Sequence, residues 1–237
     1  MGTSTDRTSG TGGAWTDLKY AATSYFRGTG QGGAGSGSAR LLLARHVPVL
    51  GGAAAAAAGA AAGRTSVQRL GGLLAGIGTN GLGEALREAS LGDLVGRDRF
   101  EIVDELVTTL SGDGSGLDAA AARDAMCDVL EELFGEADTW EELEQARATR
   151  DDIERLLHLF LTNYLYNRIP VIAERLGRIT DPAAALRADR QMRQVIEDCV
   201  VINLPSDPLS VDWNGPQGRD IADQAMQVAY ATLESLA

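Results

Sequence analysis

Apolar residues recur at helical spacing through most of the second half of the chain. Val103, Leu106, Val107 and Leu110 stand at i, i+3, i+4 and i+7, and Met126, Val129, Leu130 and Leu133 repeat the pattern. Ile153, Leu156, Leu157, Phe160 and Tyr164 form a longer stripe whose helix must end or kink at Pro170, because proline has no amide hydrogen and its ring clashes with the preceding turn. Met192, Val195, Ile196, Cys199 and Val200 form the next, and Ile221, Ala225 and Val228 share one face of the last. Start signals agree with these stripes. Asp98 with Glu101 and Thr139 with Glu142 have capping-box spacing, and Thr180-Asp181-Pro182 sets a cap before a first-turn proline. Val200–Leu204 and Leu209–Val211 are the only strand candidates, and both are too short to build a sheet.

The first half reads differently. Residues 1–14 are mostly Gly, Ser and Thr, with little to bury, and residues 28–38 (GTGQGGAGSGS) have linker composition. Between them Trp15, Leu18, Tyr20, Tyr25 and Phe26 make a short aromatic segment of helical character. Residues 52–63 are almost all alanine, and Val47 to Gly63 is an uncharged run at the short limit of a membrane span. Alanine and glycine give little transfer free energy, and Arg45, His46 and Arg64 bracket the run, so a small-residue helix inside a bundle is the expectation. Gly59/Gly63 and Gly72/Gly76 have the spacing that lets helix backbones approach closely. The predicted fold is all-α: a multi-helix bundle with a disordered, glycine-rich N-terminal arm. The arm spans 1–38 and the helical domain 39–237, with small-residue-rich helices over 39–97 and acidic helices over 98–237.

Charge sharpens the division. Of 237 residues, 21 are Lys or Arg and 33 are Asp or Glu, for a net charge of −12. Residues 1–97 carry net +4 and hold 22 of the 29 glycines, whereas residues 98–237 carry net −16. An acidic domain without clustered cations is a poor binder of phosphate backbones, and 5% aromatic content leaves few platforms for base stacking. No direct nucleic-acid or membrane partner is expected. Two cysteines, Cys127 and Cys199, exclude a disulfide-dense scaffold. The N-terminus lacks a basic region leading into an apolar core, so a cytoplasmic location is expected. Asp6 stands where a myristoylation signal wants Ser or Thr.

Catalytic chemistry finds little support. Lys19 is the only lysine and is followed by Tyr20, so no Walker A loop can be written. Gly28/Gly30/Gly33 and Gly76/Gly78/Gly81 match GxGxxG, but neither follows a strand, as a dinucleotide site requires. Glu154 and His158 are four apart and occur once, where a di-iron bundle uses Glu-x-x-His twice; His46 lies far off in the chain. Cys127 and Cys199 fall on apolar stripes, where a thiol acts as a small hydrophobe. No enzymatic activity, catalytic residue, metal or cofactor is expected. Trp213-Asn214-Gly215, with Tyr230 and Glu234, spells the W-x-G and Y-x-x-x-E pair of WXG-type secreted substrates. Pro205 and Pro208 break the helix that such a hairpin needs, which leaves this the weaker reading. Trp213 is expected to bury against the bundle.

Several stretches, in order, resemble the QatB family. They are Met1-Gly2-Thr3-Ser4 with its Gly/Ser-rich continuation, Ala22-Thr23-Ser24-Tyr25-Phe26-Arg27-Gly28, Arg69-Leu70-Gly71-Gly72-Leu73-Leu74, Glu84-Ala85-Leu86-Arg87, Leu91 to Arg97, and Asp207-Pro208-Leu209-Ser210-Val211-Asp212-Trp213. The resemblance implies a non-enzymatic component of the Qat anti-phage defence system. Its partners there would be a QueC-like enzyme, an ATPase and a TatD-type DNase. It further implies that the QueC-like enzyme conjugates a 7-deazaguanine-type nucleobase to Gly2 after loss of Met1. Gly2, Thr3 and Ser4 would enter the enzyme, and Trp15, Tyr20, Tyr25 and Phe26 are candidate docking anchors, weighed against simple packing on the bundle. The other reading is a helical adaptor or regulator of the ATPase or nuclease that carries no modification.

Overall fold

In the computed structural model, residues 12–30, 35–112 and 114–236 are described. Among them are twelve α-helices and no strand. In chain order these are α1 (Gly12–Gly30), α2 (Ser36–His46), α3 (Ala53–Ala58), α4 (Ala61–Asn80), α5 (Leu82–Glu88) and α6 (Arg99–Ser111). There follow α7 (Leu117–Phe134), α8 (Trp140–Leu143), α9 (Arg150–Asn167), α10 (Pro170–Leu176), α11 (Pro182–Glu197) and α12 (Pro216–Glu234). Three short 3₁₀ turns cover Val47–Leu50, Gly92–Leu94 and Pro208–Ser210. The two strand candidates fall in irregular chain and in the last of these turns.

The caps follow the sequence signals. Thr139 and Glu142 close a full capping box, whereas Asp98 makes only half of one, accepting from the Glu101 amide at 3.0 Å. Asp181, with Pro182 as the first helical residue, caps α11. A further box, Thr149 with Asp152, starts α9 and was legible at the same spacing. Pro170 ends one helix and begins the next. The uncharged run is broken at Gly51 and Gly52, both with positive φ (91° and 92°), and no helix among the described residues is long and apolar enough to cross a membrane.

The chain forms two compact units. Among the described residues, one comprises those within Met1–Gly59, Ile169–Cys199 and Gln227–Ala237; the other comprises those within Ala60–Arg168 and Val200–Met226. The expected boundary between residues 38 and 39 is not where the contacts divide. Residues 1–11 and 31–34 of the expected arm lie outside the described residues, but α1 belongs to the first unit and packs on α2, α10 and α11. Its buried positions Leu18, Ala21, Ala22, Tyr25 and Thr29 follow i, i+3, i+4, i+7, i+11. The aromatic segment is helical, as expected, and burial of that stripe is what packs it into the unit.

In the second unit α4 packs against α5, α6, α7 and α9, and α7 lies along α9. Ile153, Leu156, Leu157, Phe160 and Tyr164 are wholly buried, as the stripe predicts. Two stripes turn by one position. In α6 the buried set is Ile102, Leu106 and Leu110, with Val103 and Val107 only half-buried. In α12 it is Ala222, Ala225, Met226, Ala229, Tyr230 and Leu233 instead of Ile221, Ala225 and Val228. Alanine fills a close contact as readily as a larger side chain, so size alone misplaced the face.

Candidate functional site

Helix α1 carries the expected docking residues, and the structure separates them. Tyr25 and Phe26 are buried, edge-to-face with ring centroids 4.9 Å apart. The Tyr25 hydroxyl lies 3.0 Å from the Ala188 carbonyl and 3.1 Å from Gln191 Oε1. Burial, partly opposed by Thr29, pushes its pKa up to about 12. These two residues hold α1 to its unit and cannot also be a free docking face, so the packing alternative applies to them. Trp15 and Tyr20 remain outside, the latter 75% exposed. At 3.6 residues per turn they lie about 140° apart and bound an exposed arc containing Thr16 and Lys19. The Lys19 ammonium sits 6.0 Å from the Trp15 ring centroid. Gly2, Thr3 and Ser4 lie outside the described residues.

Two further stretches of the resemblance, residues 69–74 and 207–213, meet in the second unit as a packing device. The Trp213 ring lies on Gly71, where an added Cβ would come 2.2 Å from the indole. Its N–H donates to the Pro208 carbonyl at 3.0 Å, which fixes the ring's orientation. Further along α4, Gly78 receives Leu209 and the Ala148 carbonyl, and Gly63 receives Tyr164 and Met226. Gly63, Gly71 and Gly78 thus form one ridge of close approach. Of the spaced glycines, Gly63 makes a close contact and so does Gly76, the latter against Ala85 of α5, whereas Gly72 meets nothing nearer than 3.5 Å. Trp213 is buried, as expected of an anchor, and it packs as a core side chain.

The candidate chemical residues stay apart. Cys199 is buried, but Cys127 is exposed and not on the buried stripe of α7, because Met126 and Val129 take that face. Burial, then Asp124, Asp128 and Glu131, raises the Cys127 thiol; burial and Asp198 raise Cys199, with Arg40 opposing. Both shifts lower the thiolate fraction. His158 Nε2 lies 3.2 Å from the Val200 carbonyl at the edge of its helix stripe, and Glu154 faces solvent. Among the described residues no group of three or more His, Cys, Asp or Glu could hold a metal ion.

One polar cluster went unread in the sequence. Asp118, in the first turn of α7, accepts from the Ala62 amide at 2.8 Å and from the Tyr164 hydroxyl. Its carboxylate lies 3.7 Å from Arg168 Nε, and Arg168 also donates to the Tyr164 hydroxyl at 3.2 Å. The arrangement joins α4, α7 and α9. It is a structural hub, since its hydrogen bonds tie the start of α4 and the start of α7 to α9.

Neither the curated proteins nor the solved structures contain a match to this chain. A family profile does match: that of the Qat anti-phage system associated protein QatB, over residues 51–233. The matched region spans the helices from α3 to α12, including the glycine ridge and its Trp213 partner, and leaves α1 outside. The chain belongs to the QatB family, and with it to an anti-phage defence system.

Proposed function

We propose that this chain is a non-enzymatic subunit that docks a QueC-like enzyme and serves as its protein substrate, accepting a 7-deazaguanine-type nucleobase on the α-amino group of Gly2 after loss of Met1. The observation that supports this reading is the exposed aromatic arc of α1, directly after the N-terminal stretch. Its opposite face packs in the core, which leaves Tyr20 75% and Trp15 36% exposed on the outer side. Tryptophan and tyrosine supply much of the energy of protein interfaces because they bury large areas at small entropic cost.

The chemistry is within reach of an α-amine. An ATP-activated carboxylate is attacked by a neutral amine, which forms an amide and expels the activating group. An α-amino group titrates near 7.7–8.0, against about 10.4 for lysine, so a useful fraction is nucleophilic near neutral pH. Gly2 has no side chain to obstruct a narrow active site. Because α1 begins at Gly12, ten residues from Gly2 to Thr11 precede it, with a contour limit of roughly 33–36 Å. Docking through α1 would raise the effective concentration of the amine at the enzyme.

The test is the intact mass of the protein, made alone and beside its QueC-like neighbour with a deazaguanine precursor. The expected result is a nucleobase-sized increase that maps to Gly2 and disappears in Gly2→Pro. Trp15→Ala/Tyr20→Ala should weaken enzyme binding roughly tenfold or more. A stable complex with Met1 removed and no mass increase would replace this reading with the unmodified adaptor.

A further inference from the structure

A cleft of about 590 Å³ opens in the second unit between α4, the C-terminal end of α5 and α6. That volume falls within the roughly 300–1,000 Å³ typical of small-molecule sites. Arg69 stands on one wall, and Glu88 and Glu105 stand on others. Arg69 donates to the Thr109 carbonyl, Glu88 Oε1 accepts from Asn80 at 3.0 Å, and Glu105 Oε1 accepts from the Thr109 hydroxyl at 3.4 Å. Among the described residues eleven ion pairs form, and none of the three belongs to one. One cation and two anions therefore line a common cleft without forming ion pairs with one another.

A second feature marks the same cleft. Helix α5 ends in a Schellman motif: the Ser90 amide donates to the Arg87 carbonyl at 3.0 Å and the Leu91 amide to the Leu86 carbonyl at 2.7 Å. The left-handed position of that motif normally takes glycine. Here it is Ser90, with φ of 63°, the one non-glycine residue with positive φ among the described residues, and it lines the cleft. Backbone strain of this kind concentrates where a side chain has work that a glycine could not do.

We propose that this cleft binds an α-amino acid with a cationic side chain. Its carboxylate would pair with Arg69 and its two cations with Glu88 and Glu105, with Ser90 and Asn214 supplying further hydrogen bonds. The charge pattern of such a ligand, two positive and one negative, is the complement of the cleft. No aromatic residue lines the cleft, which removes the stacking that a nucleobase would use. A free amino acid carries all three charges, whereas the C-terminal arginine or lysine of a protein lacks the α-ammonium because its α-nitrogen is a peptide amide. The proposal is independent of the modification at Gly2.

Calorimetric titration of the full chain tests it, with L-arginine and L-lysine as ligands. Agmatine lacks the carboxylate and norleucine the side-chain cation, and each should bind roughly tenfold or more weakly, the worth of one charge-assisted contact. Saturable binding of L-arginine assigns a free amino acid. Tighter binding of an acetylated peptide ending in arginine, which has no α-ammonium, would overturn the pairing of two ligand cations with Glu88 and Glu105. Arg69→Gln should abolish the preference for arginine over agmatine, and Glu105→Gln should weaken both. Ser90→Gly should weaken arginine binding without lowering thermal stability, which separates a ligand contact from a structural role. Binding unchanged in Arg69→Gln and Glu105→Gln, or no saturable heat for any ligand up to about 10 mM, would overturn the proposal.

Discussion

The Asp118 hub makes the sharpest demand on the fold, and Asp118→Ala is the perturbation that tests it. The substitution removes the acceptor of the Ala62 amide, near the start of a helix whose N-cap, Ala60, has no side chain to cap it. It also removes the carboxylate 3.7 Å from Arg168 Nε, a side chain that is 10% exposed and lies beside the Tyr164 ring at 5.6 Å. Breaking a fully buried ion pair costs about 3–5 kcal/mol, because the remaining charge keeps its desolvation penalty without its partner. Asp118 itself is 24% exposed, so water recovers part of that cost. Losing the amide acceptor adds about 1 kcal/mol. The expected destabilisation is about 3 kcal/mol, a large share of the 5–15 kcal/mol typical of a domain. Asp118→Asn keeps a hydrogen-bond acceptor and should cost about half as much. Asp118→Ala and Arg168→Met combined should cost less than the sum of the two single variants, since each removes one side of the same contact. Urea unfolding followed by tryptophan fluorescence measures this. A Trp15→Phe background leaves Trp140 and Trp213, both in the second unit, as reporters. A cost below about 1 kcal/mol for Asp118→Ala, or strict additivity in the double variant, would refute the hub.

Adjacent glycines should respond with opposite signs. Gly71→Ala drives a methyl into the Trp213 ring and should cost about 1–3 kcal/mol, whereas Gly72→Ala meets its nearest side-chain atom at 3.5 Å and should gain up to about 1 kcal/mol of helix propensity; melting both variants decides. Tyr25 should make stability fall in alkali. Its folded pKa is raised to about 12 against about 10 unfolded, so the contribution is complete below pH 10 and is lost as pH rises to 12. Tyrosinate absorbance should show this residue ionising last or together with unfolding. The capping carboxylates Glu142 and Asp152 are held below their ordinary values, Glu142 chiefly by the Asp138 and Thr139 amides and Asp152 by the Thr149 hydroxyl and amide. Their contribution is present above the unfolded values near 4 and lost as pH falls through the folded ones, which side-chain NMR titration checks. At neutral pH Cys127 should be alkylated more slowly than a free cysteine despite its exposure, because its thiol is raised.

Much of this protein is local, and that part was legible in the residues. The all-α class, the stripe from Ile153 to Tyr164, the Thr139–Glu142 cap and the break at Pro170 depend on atoms within a turn or two, so spacing alone specifies them. The family could be read because its stretches are short strings in a fixed order, although the profile match begins only at residue 51. What needs partners far along the chain could not be read. Nothing local tells that Tyr25 and Phe26 turn inward while Trp15 and Tyr20 turn outward. That follows from where α2, α10 and α11 press on α1. The division into two units was also hidden, because each is assembled from separated stretches and no linker marks the joins. Nor could the charged cleft be seen, since Arg69, Glu88 and Glu105 share no spacing and meet only when α4, α5 and α6 pack. Gly71 and Gly72 are the same residue in the same helix, and only the tertiary structure, by laying Trp213 on one and not the other, makes the first indispensable and the second replaceable.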